Sequence, residues 1–328
     1  MPGANAVETA ICDPLLYHAP LPYTDRYYPY GFPVDVASNM RDVLDAARES
    51  FGACAARFDR PPLRVHVLAG EGSGDLPPTP VLRGQRHLLL WVSDRENFAA
   101  IDRRERFGYS IVTRATVADR VFFRWHFLDA LIYVLLELNY VTSLHAACVA
   151  WEGAGVMLCG ESGAGKSTLC YECARRGWTY ISDDSSSVLW DGGRTVIGEP
   201  HHFRFRADAP DMFPELRGRT VGRQLDRKPT IELLTADLPI RTATECRVEH
   251  IAFLDRHPGI RADVRRIGKE EAQQRLQQGM AAFDPELETR RREVVESIAE
   301  APAFELRYSD CEEAALLLER IVRGGTAA

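Results

Sequence analysis

The chain has 328 residues, 45% of them hydrophobic and 27% charged, and a formal net charge of −7. That balance describes a globular chain long enough for two domains, and its sign argues against a general nucleic-acid-binding surface. No apolar run approaches the roughly 18 residues of a membrane-spanning helix, because Tyr133 and Glu137 interrupt the longest candidate, around 130–138.

Residues 1–14 lack a basic region followed by an apolar stretch, so no signal peptide is expected and the cytoplasm is the default location. Residues 1–35 are rich in Pro, Tyr and Asp without a sustained hydrophobic period, which predicts an extended segment laid over a surface. A helix over 39–57 follows, then a strand at Leu63–Leu68. The Gly/Pro-rich stretch from Gly70 to Pro80 is a loop. Strands are predicted at His87–Val92, Tyr109–Arg114 and Arg120–Phe123, and an apolar helix at Phe127–Asn139. The domain boundary falls at its end, dividing a smaller α+β domain (1–139) from a second domain (140–328).

Beyond the boundary, elements alternate. A strand at Ser143–Ala150, a turn at Trp151–Gly155, a strand at Val156–Cys159, a helix at Leu169–Arg176 stopped by Gly177, and strands at Trp178–Ile181 and Ser186–Leu189 predict an α/β core. A strand at Ile251–Leu254, a helix at Lys269–Met280, another after Pro285, an edge strand at Phe304–Arg307 and an amphipathic helix at Glu312–Val322 complete the chain.

The most informative stretch is GESGAGKST: Gly160, Glu161, Ser162, Gly163, Ala164, Gly165, Lys166, Ser167 and Thr168. It fits the phosphate-binding loop, Gly-x4-Gly-Lys-Ser/Thr, between a buried strand and a helix, the order that motif requires. A backbone wrapping a polyphosphate must turn where Cβ atoms obstruct and must aim successive N–H groups inward, which glycines permit. Lys166 would supply charge to the β- and γ-phosphates, and the Ser167 hydroxyl would ligate Mg²⁺ at the positive end of the helix.

One helix later, Ile181-Ser182-Asp183-Asp184 is an apolar strand ending in two carboxylates, at the sheet edge where open α/β folds bind ligands. One carboxylate can hold Mg²⁺ and the other can accept the proton of an attacking hydroxyl. Cys170 and Cys173 form a C-x-x-C without a second pair, which reads as structural, and most of the eight cysteines lie in apolar segments as reduced core residues. His201 and His202 have no partner at a zinc-ligand spacing and are expected to line a substrate pocket.

From Leu144 to Leu189 the sequence resembles the C-terminal kinase domain of the HPr serine kinase/phosphorylase family, and more closely its bacterial HPr-kinase-like relatives. His145, Gly153, Gly155, Lys166, Ser167, Asp183 and Asp184 fall at matching positions. The resemblance implies a mixed sheet shared with phosphoenolpyruvate carboxykinases, and it implies ATP, Mg²⁺ and phosphoryl transfer to a hydroxyl. It makes Asp183 the base, puts Asp184 and Ser167 at the metal, and sets His145 beside the phosphates. Glu199 matches a further metal-associated glutamate, with Arg204 or Arg206 as the basic residue that follows. The family's glycine-rich signature after that glutamate is replaced by PHHFRFRADAP, which makes HPr an improbable acceptor. The resemblance also leaves room for a homo-oligomer.

Arg217 to Lys228 places five cations in twelve residues with two glycines, and Arg223 and Lys228 are candidate lid residues over a migrating phosphoryl group. The chain lacks the Asn/Thr-Lys-x-Asp element of GTPases and the Ser-Gly-Gly signature of ABC-type ATPases. Two function classes remain: an ATP- and Mg²⁺-dependent kinase for a hydroxyl of a small molecule or peptide, and a nucleotide-responsive regulatory protein. A kinase acting on serine of an HPr-like protein is a variant of the first. Neither class involves nucleic acid or a membrane.

Overall fold

The computed structural model describes residues 20–219, 222–223, 229–278 and 285–324, and the chain divides into two compact units, 1–136 and 137–328. The first unit contains β1 (Tyr23–Tyr27), β2 (Val34–Ser38), α1 (Arg41–Phe51), β3 (Leu63–Gly70), β4 (Val81–Gln85), β5 (Leu88–Val92), β6 (Phe98–Asp102), β7 (Phe107–Thr113), α2 (Arg114–Ala118), α3 (Arg120–Phe123) and α4 (Asp129–Glu137). Its seven strands form one mixed sheet in the order β1-β2-β3-β7-β6-β5-β4. The N-terminal stretch read as extended contributes the β1–β2 pair, and β2 keeps an alternating buried pattern. Residues 120–123 are helical, contrary to the strand predicted from Arg-Val-Phe-Phe. The Asp119 side chain accepts from Phe122 N and caps the helix, and this local bond outweighs β propensity.

The second unit contains β8 (Val141–Leu144), β9 (Ala146–Trp151), β10 (Ala154–Cys159), α5 (Lys166–Arg175), β11 (Thr179–Ser182), β12 (Ser186–Leu189), β13 (Thr195–Ile197), β14 (His202–Arg206), α6 (Ala209–Met212), β15 (Gly222–Arg223), β16 (Pro229–Leu234), β17 (Arg241–Thr242), β18 (Glu245–Arg256), β19 (Asp263–Ile267), α7 (Lys269–Gln277), α8 (Pro285–Ile298), β20 (Ala303–Tyr308) and α9 (Cys311–Val322). A ten-stranded mixed sheet runs β17-β11-β9-β10-β18-β13-β12-β8, with β20 between β18 and β19. A separate three-stranded sheet has the order β14-β16-β15.

Alternate residues of β9 enter opposite cores. Ala147 and Val149 pack in a cluster with Leu169 of α5 and Leu318 of α9, whereas Ala146 and Cys148 pack with Leu276 of α7 and Val295 of α8. A sheet covered on both faces explains the continuous apolar runs of β9 and β10. Two predictions change here. The strand read at Ser143–Ala150 breaks at His145, and β20 is an interior strand, parallel to β18 and antiparallel to β19. The second half of β18 is buried at consecutive positions, but its first half alternates charged and apolar residues, which hid its 12-residue length.

Candidate functional site: a glycine loop with a buried lysine

β10 lies between antiparallel β9 and parallel β18, and its end leads through Gly160–Gly165 into α5. Gly165 has φ +93°, and a Cβ there would lie 2.5 Å from the Tyr308 hydroxyl, so two independent constraints require glycine. Tyr308 is buried at the end of β20 and its hydroxyl donates to Ala164 O at 2.9 Å, bracing the loop from below. The sequence signalled none of this, because a tyrosine ending a buried strand looks like any other core aromatic.

Lys166 opens α5 and is 6% exposed. Its ammonium donates to Gly160 O at 2.7 Å and to Glu161 O at 3.2 Å, and lies 2.9 Å from His145 Nε2. His145 reaches it from the break between β8 and β9, with Nδ1 3.4 Å from Asp184 Oδ1. Burial pulls the Lys166 pKa below the usual lysine value and nearby Arg206 adds to this, while Asp184 opposes it.

Ser167 Oγ donates to the Asp183 carbonyl at 3.3 Å, linking the first turn of α5 to the end of β11. The Asp183 side chain turns toward β14, where its Oδ2 accepts from Arg204 N at 3.0 Å. Burial raises the Asp183 pKa to about 6, with the Asp184 charge adding a smaller push; the Arg204 N–H bond and the Arg204 charge partly offset the rise. The two adjacent acids therefore face different ways, Asp184 toward His145 and Lys166, Asp183 toward β14.

Arg204 and Arg206 also separate. The Arg204 guanidinium bonds to Glu232 Oε1 at 3.3 and 3.4 Å. The Arg206 guanidinium stands over the loop, 3.6 Å from where a Cβ on Gly163 would lie, and has no carboxylate partner among the described residues. Glu161, Ser162 and Gly163 form the exposed tip of the loop, and Thr168 is part-buried in the first turn of α5. Gly198, just before Glu199, packs on the Ile181 carbonyl so closely that no Cβ fits, which seats Glu199 beside β11, the strand that leads into Asp183.

Among the described residues no group of three or more His, Cys, Asp or Glu is gathered as a metal cage. The oxygen donors Ser167, Asp184 and Glu199 still suit Mg²⁺, which keeps several waters and takes one or two carboxylates together with phosphate oxygens. Cys170 and Cys173 are free thiols buried in α5, pushed well up in pKa by burial, in keeping with a structural role. His201 and His202 are exposed. The Arg223 backbone lies in β15, paired with Pro229, and Lys228 lies outside the described residues.

Residues 137–207 match the model of the HPr Serine kinase C-terminal domain. Over 59 residues the chain is 42% identical to the HPr kinase/phosphorylase of Enterococcus faecalis, which is 18% of this chain and 19% of that protein. It is also 42% identical over 57 residues to the HPr kinase/phosphorylase of Latilactobacillus sakei, 17% of this chain and 18% of that one. The chain thus spans about a fifth of the length of the curated relatives it matches. The solved structure of the Hpr(Ser) kinase/phosphatase from Coxiella burnetii aligns with a TM-score of 0.30 at 14% identity, over 56% of this chain and 95% of that one. The stretch that carries the loop, Lys166 and both aspartates is HPr-kinase-like in sequence.

Proposed function

We propose that this chain, HPr-kinase-like over residues 137–207, is an ATP- and Mg²⁺-dependent phosphotransferase that acts on a hydroxyl of a small molecule or peptide. The observation that carries the reading is Lys166, an ammonium held at the start of α5 by two loop carbonyls, with Asp183 tied to the next residue through the Ser167 hydroxyl. A buried cation whose hydrogen bonds go to carbonyls and an imidazole, with Asp184 acting on it only through its charge, is poised for an anion.

In this reading the loop N–H groups and Lys166 hold the triphosphate, and Ser167, Asp184 and Glu199 would hold Mg²⁺, which neutralises phosphate charge. Asp183 accepts the acceptor's hydroxyl proton as the new O–P bond forms and the bond to the ADP oxygen breaks. A base with a pKa of about 6 is ionised at neutral pH yet basic enough to take part. Arg206 offsets charge on the migrating group. The three-stranded sheet begins with β14, whose Arg204 N–H binds Asp183, so β15 with Arg223 lies two strands, roughly 10 Å, from it. In this reading Arg223 and Lys228 keep the lid role expected of them from the sequence. A cytoplasmic setting, where ATP and Mg²⁺ are plentiful, fits this chemistry.

The family match stops at residue 207, before α6 and most of the three-stranded sheet, so the acceptor named for the relatives does not carry over with it. Incubating γ-labelled ATP with the protein and three acceptor pools, namely metabolites, peptides and an HPr-like protein, tests both points. The expected result is label on a hydroxyl of the first or second pool, lost in Asp183→Asn. Label on the HPr-like protein alone would replace the acceptor class, and nucleotide binding without transfer to any pool would replace the enzyme with a regulatory binder.

A further inference from the structure

Parallel strands β10, β18 and β20 end side by side: Cys159 pairs with Phe253, and Arg256 with Tyr308. The loop thus follows β10, Arg256 ends β18 one strand away and Ser309 follows β20 two strands away, roughly 5 and 10 Å from the loop strand. A cavity of about 520 Å³ opens along this edge, bounded by Arg256, Ser309, Asp310, Cys311, Met212 and Phe213 and closed by the last turn of α5. The volume lies within the roughly 300–1,000 Å³ of small-molecule clefts.

Arg256 joins the loop to the cavity. Its Cδ lies 3.7 Å from where a Cβ on Gly165 would be, and its Nη2 lies 3.9 Å from Met212 Sδ. It is exposed and has no carboxylate within ion-pair distance among the described residues. Phe213 is buried and carries the Arg175 guanidinium 5.3 Å from its ring centre, which gives that end of the cavity a fixed wall. Asp310 spends Oδ1 on capping Glu313 N at 2.9 Å, which leaves Oδ2 as an acceptor.

Resting on the phosphate-loop reading above, we propose that this cavity is the nucleoside subsite of the bound nucleotide. The base stacks on the flat Arg256 guanidinium and the polarizable Met212 thioether, and Asp310 accepts from a ribose hydroxyl. The placement follows the rule that ligands of open α/β sheets sit beyond the carboxyl ends of the strands. It also gives Arg256, a cation with no carboxylate partner among the described residues, an occupant to meet.

The experiment compares ATP with inorganic tripolyphosphate, which has the phosphates but no nucleoside, by calorimetry with Mg²⁺ on the full chain. In Met212→Ala and Arg256→Ala the Kd for ATP is expected to rise about tenfold and that for tripolyphosphate to stay within twofold, the latter also reporting an intact fold. Met212 is uncharged, so its variant separates stacking from any action of Arg256 on phosphate. Azido-ATP photolabelling of the wild-type chain is expected in peptides containing 209–213 or 309–312. Equal weakening of both ligands, no weakening of either, or labelling elsewhere would overturn the subsite while leaving the phosphate loop standing. Failure of the wild-type chain to bind either ligand would overturn the loop reading and this subsite with it.

Discussion

The Lys166 ammonium lies 2.9 Å from His145 Nε2, and the same ring presents Nδ1 to Asp184 Oδ1 at 3.4 Å. Because an ammonium only donates, Nε2 is the acceptor and the imidazole proton sits on Nδ1, facing the carboxylate. A lysine, a histidine and an aspartate from three separate elements thus form one line at the mouth of the glycine loop. The break between β8 and β9 is what lets His145 leave the sheet to join it.

Lys166→Met should abolish measurable heat with Mg²⁺ and ATP, while changing the melting temperature by only a few degrees. The methionine fills the same space but leaves Gly160 O and Glu161 O without their donor, a modest loss beside that of the ligand's main cation. His145→Ala should be milder, weakening ATP binding a few-fold, since it frees Lys166 without removing it. Calorimetry on both variants checks the order.

Asp183 predicts a pH profile. If it is the base, as proposed, it must be ionised, so kcat/KM should fall on the acid side with an apparent pKa of about 6. Its folded pKa is raised above the unfolded value of 3.8, so the fold binds the extra proton between the two values. Its contribution to stability is therefore greatest below about 4, falls as pH rises towards 6, and is flat beyond. Asp183→Asn should accordingly abolish transfer by 10²-fold or more, keep ATP binding within threefold, and raise the melting temperature at pH 7 but not at pH 4.

Tyr308 and Gly165 should behave as a coupled pair. Tyr308→Phe removes the donor to Ala164 O and should cost about 1 kcal/mol of stability and several-fold in ATP affinity. Gly165→Ala should be more damaging, since it adds left-handed strain and a 2.5 Å approach to the Tyr308 hydroxyl. The double variant relieves the second problem and not the first, so its loss should be smaller than the sum of the singles. Denaturant unfolding of the four proteins measures the difference.

How much of this was legible in sequence varies with the range of the interaction. The loop could be read because its determinants lie within nine residues, and the aspartate pair because an apolar strand must end where polar residues begin. Arg204 and Arg206 looked equivalent, being two apart on one strand, and only the partners around them separate their roles. Tyr308 lies 144 residues beyond the carbonyl it supports, and no local pattern announces such a bond. In the first unit the misread strand at 120–123 turned on a single cap at Asp119.

Arg206 supplies the last prediction, because it shares β14 with Arg204 and can be compared directly. The Arg204 guanidinium is engaged by Glu232 and its contact with Asp183 is made by backbone, so Arg204→Ala removes an exposed ion pair worth at most about 1 kcal/mol and should leave kcat within threefold. The Arg206 guanidinium stands over Gly163, and behind the dominant effect of burial its charge adds a smaller push to the lowered Lys166 pKa, so it is felt inside the loop. Charge that builds on a migrating phosphoryl group is stabilised by such a cation, and Arg206→Ala should lower kcat by 10²-fold or more with a smaller change in ATP Kd. Lys should rescue only part of the loss, since an ammonium lacks the planar fork that meets two phosphate oxygens together. Steady-state kinetics on Arg204→Ala, Arg206→Ala and Arg206→Lys decides the point; equal losses at both positions would return the two arginines to a shared structural role.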